Sequence, residues 1–106
     1  MDADLDRAAR LDATLAALAD PVRRRLLELL EVGPTSAGDL AASAASLYGI
    51  SHTRVSQHLK VLATAGLVDV APDGTHRWYS LVDGAADDVA DWLASLRLSR
   101  ARGAGR

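Results

Sequence analysis

The stretch ISHTRVSQHLKVLATAGLV, residues 50–68, decides how this chain folds. Ser51 is a good N-cap and opens a helix. Ile50 before it and Val55 four residues after it are spaced for a hydrophobic staple. Val55, Leu59 and Leu62 recur at helical spacing and mark the buried side. At about 100° per residue, Thr53, Gln57, Lys60 and Thr64 fall on the opposite face, flanked by Arg54 and Ser56. Gly66 follows as the C′ residue that ends the helix. The outward face is therefore rich in hydrogen-bonding groups and carries no acid. The acid-free run is longer than the helix. No carboxylate lies between Leu40 and Val68, where Arg54, Lys60, His52 and His58 are found. Such a surface can lie against a polyanion without repulsion.

The elements on either side follow from the same signals. Downstream, Leu67 to Ala71 and His76 to Leu81 read as two strands around Pro72-Asp73-Gly74-Thr75. A hairpin of two strands is not stable alone, so it must pack on helices. Upstream, Ser36 caps a third helix that reaches Ser46 or Leu47 and buries Leu40, Ala41 and Ala44, with Tyr48-Gly49 as the turn after it. Asp20-Pro21 starts a second helix that runs to Val32 with Val22, Leu26, Leu29 and Leu30 inside, and Gly33-Pro34 stops it. Arg23, Arg24 and Arg25 in its first turns read as a solvated face or as a phosphate contact. A first helix spans Ala3 to Leu18, with Leu5, Ala8, Leu11, Leu15 and Leu18 as its stripe. A last helix begins near Asp83 and carries Val89, Trp92, Leu93 and Leu96 on one side. The predicted fold is mainly α with a small β-hairpin: helix, helix, helix, helix, strand, strand, helix. That is the layout of a winged helix-turn-helix, in which one helix fits the major groove and a hairpin beside it reaches the backbone or minor groove.

Composition agrees with one small domain. The chain has 106 residues, 49% of them hydrophobic and 25% charged. Residues 1–98 are expected to form that domain, dimerisation helices included, and residues 99–106 a flexible basic tail. With no Phe, two Trp and two Tyr, its core must be built of Leu, Val and Ala. The absence of Cys excludes disulfides, thiolate metal sites and a cysteine nucleophile. No apolar run approaches the roughly 20 residues of a membrane span. The acidic start, Met1 to Asp6, is unlike a signal peptide, so a cytoplasmic location with no membrane partner is expected. The net charge of −2 is uneven: residues 1–20 hold five Asp against two Arg, whereas the acid-poor middle of the chain is slightly basic.

Three blocks carry a family resemblance. Ala17-Leu18-Ala19-Asp20-Pro21-Val22-Arg23-Arg24-Arg25-Leu26-Leu27-Glu28-Leu29-Leu30 resembles the start of the ArsR/SmtB family of bacterial winged-helix repressors. Val55-Ser56-Gln57-His58-Leu59-Lys60-Val61-Leu62, with Ala65-Gly66-Leu67-Val68, resembles its recognition helix, and Gly74-Thr75-His76-Arg77-Trp78-Tyr79-Ser80-Leu81 its wing. The blocks stand in the family's order over residues 17–81. The resemblance implies a homodimer that binds a near-palindromic double-stranded DNA operator and represses transcription, with the first and last helices making the dimer. Those helices present Leu5, Leu11, Leu15, Val89, Trp92, Leu93 and Leu96. Within the resemblance there is one departure. The Leu matching Leu40 usually lies about seven residues before the Ser matching Ser51; here the gap is eleven, so either the third helix or its turn is longer by about one helical turn.

Many members of the family release DNA on binding a metal. Their thiolate site needs cysteines on the third helix, and Leu40-Ala41-Ala42-Ser43 has none. Their other common site uses Asp and His on the last helix. Here Asp87, Asp88 and Asp91 are present, but no His follows Gly84, and carboxylates alone hold Zn²⁺ poorly. No metal and no cofactor are therefore expected; the alternative is a metal-sensing repressor with an unusual site, and the sequence does not name an effector. His58 matches a His common in the family's motif, where it is structural or touches the DNA backbone. His52 and His76 either touch phosphate or face water.

The expected DNA contacts are Ser51, His52, Thr53, Arg54, Ser56, Gln57 and Lys60 on the fourth helix and His76 and Arg77 on the wing. A winged-helix module kept for protein contacts would be free to carry acids or apolar residues on that helix face, and this one does not. An enzyme is disfavoured by the lack of Cys, of a glycine-rich phosphate loop and of a Ser/His/Asp set at useful spacing.

Overall fold

The computed structural model describes residues 2–104, with side chains described for residues 2–96. Its elements are α1 (Ala3–Leu18), α2 (Pro21–Leu29) ending in a 3-10 turn (Leu30–Val32), β1 (Thr35–Ser36), α3 (Ala37–Tyr48), α4 (His52–Thr64), β2 (Val68–Asp73), β3 (His76–Leu81) and α5 (Asp87–Ala104). The expected helix starts are present as hydrogen bonds. Asp20 Oδ1 accepts from the backbone N–H of Val22 and Arg23 at 2.8 and 3.2 Å. Ser36 Oγ accepts from Asp39 N–H at 3.1 Å, and Ser51 Oγ from Arg54 N–H at 3.0 Å. Each satisfies donors that a helix N-terminus leaves orphaned.

The four extra residues before Ser51 lengthen the helix, not the turn. α3 has 12 residues, and only Gly49, Ile50 and Ser51 separate it from α4. Gly49 takes a left-handed φ of 65°, the conformation in which a helix stops most cheaply at glycine.

Three expectations need correction. The sheet has three strands, not two: Thr35 and Ser36 pair antiparallel with Tyr79 and Trp78, giving the order β1-β3-β2. A two-residue strand has no periodicity to read, and its partner lies more than forty residues away. The hairpin is longer than expected, because Pro72 and Asp73 pair with Arg77 and His76 and leave only Gly74-Thr75 as the loop. Gly74 has φ 62° at the first loop position, where a type II′ turn requires glycine. The last helix begins at Asp87, not near Asp83, because Gly84 at φ 74° turns the chain out of helical geometry. α5 runs through Ala104, so the backbone of residues 99–104 is helical; residues 105 and 106 lie outside the described residues.

The core is one cluster of Val22, Leu26, Leu30, Leu40, Ala41, Ala44, Val55, Leu59, Leu62, Leu67, Val68 and Tyr79, with Ala17 as the contribution of α1. No described side chain of α5 belongs to it. The first-helix stripe is therefore split: Leu18 packs against the core, and the leucines before it lie off the core. Thr14 and Ala17 are buried, whereas Leu5 and Leu15 are exposed. α5 runs beside α1, and Arg10 Nε meets Asp88 Oδ2 at 3.5 Å across the seam. The result is elongated, 57 × 34 × 22 Å with a radius of gyration of 16.5 Å, against about 13 Å for a compact chain of this length. Among the described residues no helix is long and apolar enough to cross a membrane.

Candidate nucleic-acid interface

Pleating sorts the hairpin into two faces. The pairs Val68–Leu81, Val70–Tyr79 and Pro72–Arg77 share one side, and Asp69–Ser80, Ala71–Trp78 and Asp73–His76 the other. The first side, with buried Val68 and Tyr79, lies against α4. Arg77 is on that side. Together with Thr53, Ser56, Gln57 and Lys60 of α4, it lines a concavity of about 450 Å³ floored by Ala37, Val70 and Tyr79. Among the described residues no carboxylate lines it. Five of the nine expected DNA contacts thus meet at one site.

The other four lie around it. Ser51, His52 and Arg54 are exposed at the N-terminal end of α4, and His76 is exposed at the hairpin tip. His76 faces away from Arg77, on the side that carries Asp69 and Asp73. The Ser51 hydroxyl oxygen is engaged as the helix cap. The first turn of α4 contains no acid, so the positive end of its dipole is uncompensated there.

His58 is different from its neighbours: it is buried, 7% exposed. Its Nδ1 lies 3.2 Å from Arg23 Nη1. A guanidinium only donates, so Nδ1 accepts and the ring proton sits on Nε2. Burial pushes the His58 pKa below its ordinary value; the charges of Arg23 and Arg54 push the same way, and Asp20 opposes them. The ring is therefore neutral at pH 7.

Arg23 also donates from Nε to Ala17 O at 2.7 Å and from Nη2 to Ala16 O at 3.1 Å. Arg24 Nη1 reaches Leu18 O at 2.7 Å. These two side chains cap the last carbonyls of α1 from the start of α2. The solvated-face reading of the arginine run therefore fails at Arg23, which ties α1 and α2 to the underside of α4. Nothing local marked it, because its partner His58 is 35 residues away. Burial raises the Asp20 pKa, but the N–H bonds from Arg23 and Val22 and the charges of His58 and Arg23 outweigh it, and the net direction is down.

The donor sets used for metals elsewhere in this fold do not fit here. The start of α3 offers Leu40, Ala41, Ala42 and Ser43, with no sulfur. On α5, Asp88 is paired with Arg10 and there is no imidazole beside it.

Five helices, a three-stranded wing and an acid-free recognition helix define a winged helix-turn-helix DNA-binding protein. Residues 18–71 match a helix-turn-helix domain family. The chain is 47% identical over 70 residues to the HTH-type transcriptional regulator Rv2034 of Mycobacterium tuberculosis, a match that covers 66% of this chain and 62% of that protein's length. It is 34% identical over 80 residues to the transcriptional repressor SdpR of Bacillus subtilis, covering 76% of this chain and 84% of SdpR. Among solved structures, an ArsR family transcriptional regulator superposes with a TM-score of 0.75 at 26% identity, over 85% of this chain and 89% of that one. A homodimeric winged helix-turn-helix DNA-binding domain from Mycobacterium bovis superposes with a TM-score of 0.61 at 30% identity, over 95% and 84%. The chain belongs to the ArsR/SmtB family of winged helix-turn-helix transcriptional regulators.

Proposed function

We propose that two copies of this chain form a metal-independent repressor that binds a near-palindromic operator and acts in the cytoplasm, where its DNA is, with no enzymatic step. The observation that carries this reading is the acid-free concavity in which Thr53, Ser56, Gln57 and Lys60 of α4 meet Arg77 of the wing. α4 enters the major groove by its first two turns. Gln57 pairs with adenine and Arg54 with guanine in two-bond geometry. Lys60, further along, and Arg77, on the wing, hold phosphate. His76 belongs to the solvent side of the wing.

Dimerisation follows from what the single chain leaves uncovered. Leu5 and Leu15 on α1, and Trp92, Leu93 and Leu96 on α5, are all exposed. Leu11 and Val89 are half-buried. Covering each of the five exposed side chains contributes about 1–2 kcal/mol, part of the value for complete burial, and a two-fold interface counts each residue twice. The similar domain from M. bovis is homodimeric, which supports pairing of two copies.

The test is a salt-dependent titration with the protein's own upstream DNA against a scrambled duplex. Gln57→Ala should relax base preference at one position in each half-site by about 1–3 kcal/mol. Arg77→Ala should weaken binding to every sequence and flatten the salt slope by about one phosphate contact. If Gln57→Ala and Arg54→Ala both leave specific and non-specific affinity unchanged, α4 does not read bases.

A further inference from the structure

A second groove lies on the other side of α4, between it and α1. It is open to solvent along one side and has a volume of about 490 Å³, within the range of small-molecule sites. Its floor is apolar, made by Ala13 and Ala16 of α1 and Val61 of α4. Val61 is 41% exposed although it sits among polar residues, and it adds nothing to the core. The rim is cationic: Arg23 and Lys60 line it, and among the described residues no carboxylate does. Arg23 makes three bonds, to Ala16 O, Ala17 O and His58, and a guanidinium has five N–H groups, so donors remain for a ligand. An apolar floor under a basic rim is complementary to a molecule with a greasy body and a single negative end. A phosphate has no use for the alanines, and a neutral lipid none for Lys60.

The groove shares Gln57 and Lys60 with the concavity that faces DNA. We propose that this groove binds a small organic monocarboxylate with an apolar body, and that its occupancy releases the protein from DNA by engaging Lys60 and crowding Gln57. The release step rests on the DNA-binding function proposed for this chain; the site does not.

The probe is octanoate, with octan-1-ol as the uncharged control. Methyl NMR of the DNA-free protein should show the Ala13, Ala16 and Val61 signals moving to saturation with octanoate, and at least tenfold weaker binding of octan-1-ol. Saturating octanoate should then lower affinity for the upstream duplex at least tenfold. Ala13→Phe fills the groove from an exposed position on α1. It should remove the octanoate response while leaving DNA affinity in the absence of octanoate within twofold. Val61→Thr, which makes the floor polar without adding bulk, should weaken octanoate at least fivefold, and it serves if the Phe variant does not fold. Absence of saturable methyl shifts, equal binding of acid and alcohol, or a response that survives both substitutions overturns the site. Saturation with no loss of DNA affinity overturns the release step. A wild-type protein with no DNA affinity overturns the proposed function and the release step together, while the methyl shifts still decide the site.

Discussion

Replacing Arg23 with Met keeps the apolar stem and removes the guanidinium. Three bonds are lost: to Ala17 O, to Ala16 O and to His58. The Ala16 carbonyl is exposed and water replaces most of its bond. The other two are part-buried, and His58 Nδ1 is left without a donor on a ring that is 7% exposed. A charge-assisted bond contributes about 1.5–3 kcal/mol and an orphaned buried acceptor costs about 1–3, so the variant should lose about 2–4 kcal/mol. At constant protomer concentration, which a dimer requires, that lowers the melting temperature by roughly 10–20 °C. Arg24→Met is the control. It removes one exposed bond, to Leu18 O, and should cost under about 1 kcal/mol.

The loss should also depend on pH. The folded pKa of His58 is below the unfolded value of 6.5. Between the two, the unfolded chain binds more protons, so wild-type stability falls as the pH drops from 6.5 through the folded pKa and is level above 6.5. Arg23→Met removes one of the charges that lower the His58 pKa and leaves Asp20, which raises it. The variant should lose less stability in acid, and the gap to wild type should narrow below pH 6.5. Thermal and urea unfolding at neutral and mildly acidic pH measure both effects. ¹⁵N spectra should report the Nε2–H tautomer of His58 in the wild type. Equal losses for Arg23→Met and Arg24→Met, or a gap constant with pH, would refute the reasoning.

Trp92→Ala should raise the dimer dissociation constant tenfold or more in analytical ultracentrifugation, since its 42% exposed ring leaves about 100 Å² to be covered, worth about 2 kcal/mol per protomer. Ser51→Ala removes the α4 cap and should cost about 1 kcal/mol in urea unfolding whether or not DNA is present. Zn²⁺ at equimolar concentration, or EDTA, should leave operator affinity unchanged in fluorescence anisotropy, because neither α3 nor α5 offers the sulfur or imidazole donors such an ion needs.

Helix starts and stops were legible in the sequence because their causes are local. A cap such as Asp20, Ser36 or Ser51 acts over two or three residues, and a glycine such as Gly49 or Gly74 ends an element through its own φ. The outward set on α4 followed from helical periodicity alone. The strand pair Thr35–Ser36 was not legible, since two residues define no period and exist as a strand only through Tyr79 and Trp78. The start of α5 was missed because Asp83 is acidic enough for a first turn, and only the backbone at Gly84 shows that the turn is not helical.

The sequence by itself determined the order of the five helices and the hairpin, the apolar side of each core helix and the polar, acid-free face of α4, because these depend on neighbours within about four residues. Tertiary structure alone decided which wing residue turns toward that face: Arg77 does and His76 does not, a matter of strand register against β2. It also decided that the extra turn before Ser51 lengthens α3, that Leu5 and Leu15 of α1 face outward while Thr14 and Ala17 face in, and that Arg23 is a tie between α1 and α4. Each of these is set by a partner far away in the chain, and the packing that brings the partner near is not encoded in any one segment.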